Sequence, residues 1–400
     1  MESTGTYQIH LSLEPETLQL LDASEQPATG PLGERPSLLA HLEAKEACRY
    51  SDGPELGRGS MGVVRRVLDR DLGREVALKQ LKPGGGMSVA RFLREVQITG
   101  QLEHSGVLPV HDLGYTPERG FHFVMRLVRD SEDLGQLIQR LRAGDPQAHA
   151  DFGFERRVQI VQRLAQTLHF AHSRGVIHRD VKPENVVLSR AGDVYLVDWG
   201  VARLVDEPAS APSDSATWPA MALDPNRPKT REGTIVGTPY YMSPEQLKGA
   251  ATPDGDVYSL SAVLYELLTL RHYLGEQPET LAQLVTLVRA EARTSADAFR
   301  DPQNGRVPRG LAVICARGVA RDPAERYASA HELELALEAW LEGRGPIVCG
   351  TTCLVRSLHA WRRAAELRPH LVTRVTVLGI ALALLSLGLH ALQIGLWLAD

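Results

Sequence analysis

The run Gly57-Arg58-Gly59-Ser60-Met61-Gly62-Val63 sets three glycines in GxGxxG spacing directly before Val64-Arg65-Arg66-Val67-Leu68, a stretch of strand character. The residues after the third glycine limit the folds open to the chain. In a dinucleotide-binding unit that glycine opens a helix, and here it opens a strand. The pattern predicts a glycine-rich hairpin over phosphates, where backbone N–H groups approach anionic oxygens with no Cβ in the way. Seventeen positions after Gly62, Lys79 ends a second apolar run, Val76-Ala77-Leu78. A lysine that holds phosphates needs a carboxylate to position it, and Glu95 lies on the next helical pattern, Val89, Phe92, Leu93, Val96 and Thr99.

The rest of the chain sorts into a body and two unlike ends. Short β-type runs separated by glycine turns, from Tyr50 to about Gln80, predict a small antiparallel sheet, and longer helical patterns dominate after about Glu155. The formal charge of −5 shows no basic excess, which argues against a nucleic-acid surface. That mean is a cancellation. Residues 1–47 carry eight acids and two bases, whereas residues 343–400 carry six arginines and two acids. The first 49 residues are expected to be a flexible acidic extension without a signal peptide, so that the chain starts in the cytosol. Cys48, Cys315, Cys349 and Cys353 are too few for a disulfide framework and lack the ligand pairs of a zinc site, which leaves free thiols.

The strongest local signal is His178-Arg179-Asp180-Val181-Lys182-Pro183-Glu184-Asn185, followed thirteen residues after Asn185 by Asp198-Trp199-Gly200. With the glycine run, Val-Ala-Leu-Lys, Gly237-Thr238-Pro239-Tyr240-Tyr241-Met242-Ser243-Pro244-Glu245 and Asp256-Val257-Tyr258-Ser259, it forms an ordered set. From about Tyr50 to Gly343 the chain resembles the bacterial, eukaryotic-like (Hanks-type) serine/threonine protein kinases. The resemblance implies an α+β, two-lobed kinase fold: a β-rich N-lobe with one helix over residues 50–126 and a helical C-lobe over 127–342. It implies transfer of the ATP γ-phosphoryl group to protein Ser/Thr hydroxyls, with Mg2+ as the metal and Mn2+ as its alternative.

The same resemblance implies the site. Leu56, Gly57, Gly59, Ser60, Gly62, Val64, Ala77, Lys79, Met125 and Leu127 would surround ATP, with Arg126 to Val128 as the hinge whose backbone reads adenine. Asp180 would take the acceptor hydroxyl's proton, Lys182 would neutralise the γ-phosphate, Lys79 and Glu95 would form the phosphate-positioning pair, and Asn185 and Asp198 would hold two metal ions. Glu245 would pair with Arg326, and Asp256 would brace the catalytic loop. Lys182 and Thr238 resemble the serine/threonine branch. Three positions depart from the family pattern: Trp199 replaces the usual Phe, Ser243 replaces an Ala, and Arg126 stands where many relatives carry an acid at the hinge.

The ends suggest regulation and attachment. The activation segment, 198–245, contains a proline-rich insert at 206–233, and Arg179 is expected to pair with a phosphorylated loop residue, Thr230 or Thr234. Protein substrates and a homodimer for autophosphorylation are the expected partners. Residues 375–399 carry no charge, and at about 1.5 Å per residue they would exceed the roughly 30 Å hydrocarbon core. They are expected to be a single transmembrane helix after a basic juxtamembrane segment, 343–374, which keeps the kinase on the cytoplasmic side of the inner membrane. Two readings stand beside these: a pseudokinase scaffold that only binds nucleotide, and a C-terminal helix docked on the kinase instead of spanning a membrane.

Overall fold

The computed structural model describes residues 49–58, 62–82, 89–200, 202–204, 239–275, 281–289 and 294–345, together with Ser357 and alternate residues from Ile380 to His390. Strands β1 (Glu55–Arg58), β2 (Gly62–Asp69) and β3 (Arg74–Leu81) precede helix α1 (Val89–Gln101), and β4 (Val110–Thr116) and β5 (Gly120–Met125) come after it. They form one antiparallel sheet in the order β1-β2-β3-β5-β4. Period-2 side chains give the sheet two apolar faces. Phe121 and Phe123 meet Val89, Phe92, Leu93 and Val96 of α1, with the Phe92 and Phe123 rings 5.4 Å apart. Val67, Val76, Leu78 and Val124 close under Tyr50 on the other side. This covering of α1 by the sheet is what holds Glu95, one residue before Val96, buried and facing β3.

The second lobe begins with β6 (Ser131–Asp133), α2 (Leu134–Arg142), α3 (Pro146–Asp151) and α4 (Phe154–Ser173). The first long helix, α4, begins at Phe154, in line with the longer helical patterns after about Glu155, and the shorter α2 and α3 precede it. The signal of α2 is a capping box, in which Asp133 accepts from the Gln136 amide while the Gln136 side chain reaches back to the Asp133 amide. Short strands β7 (Val176–Ile177), β8 (Val186–Ser189) and β9 (Val194–Leu196) lie under the cleft, and β10 (Arg203–Leu204) pairs with β7. Helix α5 (Pro253–Thr269) is buried at every residue from Gly255 onward, so it forms the axis of the lobe. Helices α6 (Leu281–Arg289), α7 (Arg309–Gly318) and α8 (Ala330–Leu341) complete it, with the hairpin β11 (Arg300–Asp301) and β12 (Gly305–Arg306) before α7. Around α5 the core gathers Leu164, Leu168, Leu311, Leu333 and Leu337.

Among the described residues no helix is long and apolar enough to cross a membrane. The expected span 375–399 lies outside the described residues except for Ile380, Leu382, Leu384, Ser386, Gly388 and His390, which are helical and exposed. The acidic extension up to Cys48, the insert 206–233, and Cys349 and Cys353 also lie outside them. Cys315 is a buried free thiol whose pKa is pushed up by burial.

Candidate active site

The loop between β7 and β8 carries the polar centre. Burial in the lobe's core would leave this loop's backbone unpaired, and Asp256, fully buried in the first turn of α5, answers that need. Its carboxylate accepts the His178 amide through Oδ2 and the Arg179 amide through Oδ1, both at 2.8 Å, and it accepts His172 Nε2 at 2.8 Å. Burial works against the Asp256 charge, but His172 and the other donors outweigh it and hold its pKa below the usual carboxylate value. Arg179 then takes φ +70°, a left-handed geometry costly for a side-chain-bearing residue.

The His178 ring is fixed in one tautomer by its partners. Its Nδ1 accepts the Asp180 amide at 3.2 Å, so Nε2–H donates to Val197 O at 3.1 Å. Burial lowers the His178 pKa and keeps the ring neutral. Lys182 Nζ lies 2.6 Å from Asp180 Oδ2, and Asn185 Nδ2 donates to the same oxygen at 2.9 Å and to Asp180 O at 2.8 Å. Asp180 is nonetheless raised above the ordinary carboxylate pKa, because burial exceeds the help from Lys182.

Across the cleft, Lys79 Nζ sits 2.5 Å from Glu95 Oε1 and 3.4 Å from Asp198 Oδ1. Burial disfavours the ammonium, but the two carboxylates prevail and raise its pKa. Asp198 is lowered: Lys79, Lys182 and His178 outweigh the burial that opposes its charge. Asp198 also adopts φ +66°, and the neighbouring Trp199 is anchored on both sides. Trp199 is buried, its indole N–H donates to Leu196 O at 3.2 Å, and its ring meets the His178 ring edge-on at 4.5 Å.

The remaining expected residues fall around this centre. Gly57 pairs with Val64 in the β1–β2 hairpin, and a Cβ on Gly62 would lie 2.5 Å from Gln80 O, which excludes a larger residue without a shift of β3. Ala77 is buried opposite Met125, Leu127 is half-buried just beyond β5, and Leu56 is exposed at the hairpin. Gly59, Ser60, Thr230, Thr234 and Thr238 lie outside the described residues. Arg126 does not need the acid's place at the hinge: its amide donates to Pro109 O at 3.1 Å and its guanidinium lies over the Tyr195 ring at 5.7 Å. Glu245 and Arg326 form a two-pronged pair, with Arg326 also bonded to Ala320 O and Arg321 O. Ser243 takes up its own bonds, accepting from the Gln246 amide and donating its amide to Gln246 Oε1. Two supporting residues, His172 and Gln246, whose Nε2 reaches Arg179 O at 3.4 Å, were not expected from the sequence. Their partners are 84 and 67 residues away, so no local pattern marks them.

The donor set fits a hard divalent cation. Asn185 spends its Nδ2 on Asp180, which leaves the amide oxygen, and the described protein contacts of Asp198 use Oδ1. Two oxygen donors suit Mg2+, which keeps few protein ligands. No group of three or more His, Cys, Asp or Glu side chains able to hold a metal occurs among the described residues.

A β-sheet lobe with one helix, set over a helical lobe and joined to it by a lysine–carboxylate contact, is the two-lobed kinase architecture. Residues 50–336 match the protein kinase domain, and the chain belongs to the protein kinase family. It is 33% identical over 303 residues to a probable serine/threonine-protein kinase of Streptomyces coelicolor, covering 74% of this chain and 40% of that one. It is 34% identical over 285 residues to the serine/threonine-protein kinase PknD of Mycobacterium tuberculosis, covering 70% and 38%. With the PknD of Protochlamydia amoebophila it shares 29% identity over 320 residues, covering 76% and 31%. The chain thus spans well under half the length of these curated relatives.

Proposed function

We propose that this chain is a protein-serine/threonine kinase that transfers the γ-phosphoryl group of ATP to Ser/Thr hydroxyls of protein substrates. The observation that carries the reading is the Lys79 ammonium between Glu95 and Asp198, facing Asp180, Lys182 and Asn185 across one cleft. The names of the bacterial relatives support the same acceptor class. In the reaction the bond from the γ-phosphorus to the β,γ-bridging oxygen breaks, a bond to the acceptor oxygen forms, and the hydroxyl proton passes to Asp180. Asp180 suits that task because its pKa is raised and its Oδ2 is already aimed by Lys182 and Asn185. Lys79 orients the phosphates, and Lys182 spreads positive charge toward the transferring group. Asn185 and Asp198 would hold Mg2+, which would supply neutralisation of phosphate charge.

Regulation and location belong to the same proposal. Thr230 or Thr234 is autophosphorylated and pairs with Arg179, and residues 375–399 anchor the kinase to the cytoplasmic face of the inner membrane. The uncharged 25-residue run and the five arginines between Arg356 and Arg374 support the anchor. Radiolabel transfer from ATP by the full chain, beside Lys79→Ala and Asp180→Asn, tests the activity. Equal labelling in all three rejects it. Membrane fractionation of the full chain beside a 375–400 deletion tests the anchor, and identical soluble behaviour rejects that part.

A further inference from the structure

A second concavity reaches the hinge and is lined by none of Lys79, Asp180 or Asp198. Its volume of about 520 Å3 falls within the usual range of small-molecule sites. The end of α1, the loop from α1 to β4, the first residue of β4, Arg126 of the hinge and Tyr195 of β9 enclose it. Leu102 and Val107, each 3% exposed, supply an apolar wall together with Pro109 and Val110.

The loop that forms this wall is fixed to the second lobe. Gly106 lies against α4, where a Cβ would collide with Thr167 Oγ1. Its amide donates to His104 Nδ1 at 3.0 Å, and its carbonyl accepts the Leu196 amide of β9 at 2.8 Å. The cavity is therefore preformed, and a ligand that enters it has little loop to order.

Charge selects the ligand. The Arg126 side chain is exposed and its guanidinium lies over the Tyr195 ring, which leaves the N–H edge open to a planar acceptor. Among the described residues Arg126 makes no ion pair. The acids two positions from the lining are engaged elsewhere: Asp112 accepts from Arg49 at 2.9 Å and Asp193 from Ser189 at 3.1 Å. Glu103 is the single carboxylate among the described lining residues, and it is exposed and not paired with Arg126. A ligand that sets a carboxylate against Arg126 and an apolar ring against Leu102 and Val107 matches both the cation and the wall. Because the Arg126 amide donates to Pro109 O at 3.1 Å, such a ligand would rest on both chain segments that meet at the hinge.

We infer that this cavity binds a small planar carboxylate, an aryl or indolyl acid, with its charge on Arg126 and its ring against Leu102 and Val107. The inference does not rest on phosphoryl transfer. Ligand-observed NMR titration of the full-length chain with indole-3-acetate tests it, with a Kd of about 0.1–1 mM expected. Indole-3-acetamide has the same shape without the charge and should bind about tenfold more weakly. Arg126→Glu should weaken the acid by about tenfold or more and leave the amide unchanged, a comparison that a general loss of stability would not produce. Ser105→Trp, which crowds the cavity from an exposed lining position with Arg126 intact, should remove both ligands. Saturating ADP should leave the Kd of the acid unchanged. Equal binding of acid and amide, or an unchanged acid Kd in Arg126→Glu, would overturn the site. Displacement by ADP would overturn it too, by assigning the probe to the cleft of Lys79 and Asp180.

Discussion

Nζ of Lys79, from the sheet of one lobe, lies 3.4 Å from Oδ1 of Asp198, from the loop after β9 of the other. The contact joins residues 119 positions apart and is made while Lys79 also holds Glu95, so the two lobes and α1 converge on one ammonium.

That convergence makes Glu95 a positioning residue. Glu95→Gln keeps the shape but removes the charge that fixes Lys79, and phosphoryl transfer should fall by about 10²-fold, a loss of the kind seen when one preorganised electrostatic partner is removed. Steady-state kinetics check this, with the larger part of the loss expected in kcat.

In the proposed reaction Asp180 sets the acid limb. It acts ionised and its pKa is raised, so kcat/KM should decline on acidification above the ordinary carboxylate range of about 3.9. Lys182 pulls that pKa down. Lys182→Ala should therefore lower the rate and also move the acid limb to higher pH, which a pH–rate profile of both proteins resolves.

Trp199 adds a bond that phenylalanine cannot make. Trp199→Phe keeps the ring against His178 but frees Leu196 O, at a cost of about 1 kcal/mol in urea unfolding. Trp199→Ala opens a cavity and should cost about 3–5 kcal/mol. Equal stability of all three proteins would mean that neither the indole bond nor the ring contact holds this loop.

Arg326 is wholly buried and Glu245 is its bidentate partner. Glu245→Ala leaves that guanidinium with Asp254 at 3.7 Å as its remaining carboxylate and should destabilise the C-lobe by about 2 kcal/mol, measured by denaturant titration. Asp256 carries a pH signature. Its folded pKa is depressed, so its contribution is present above the unfolded value of about 3.9 and is lost as pH falls through the lower folded value. Asp256→Asn should flatten stability against pH in that acidic window.

Much of this protein was legible because its chemistry is local. His178 to Asn185 is eight consecutive residues, and three of them, Asp180, Lys182 and Asn185, are within bonding distance of one another in the structure. The strand after Gly62 and the helical spacing from Val89 likewise depend on neighbours two to four positions away, which is the range over which backbone geometry repeats. The short helix α2 offers little periodicity to read, since it is only nine residues long and declares itself through a cap at Asp133.

The ordered motifs by themselves carried the resemblance that implies the fold class and the candidate site residues, since each motif is a short run of residue types at fixed spacing. Tertiary structure alone decided that His172 reaches Asp256, that the Trp199 indole turns back to Leu196, that Arg126 lies on Tyr195, and that Arg49 gathers Asp69, Asp71 and Asp112. Whether a buried charge or polar ring finds its partner depends on which elements pack together. That packing is a property of the whole hydrophobic core, and no single segment carries it.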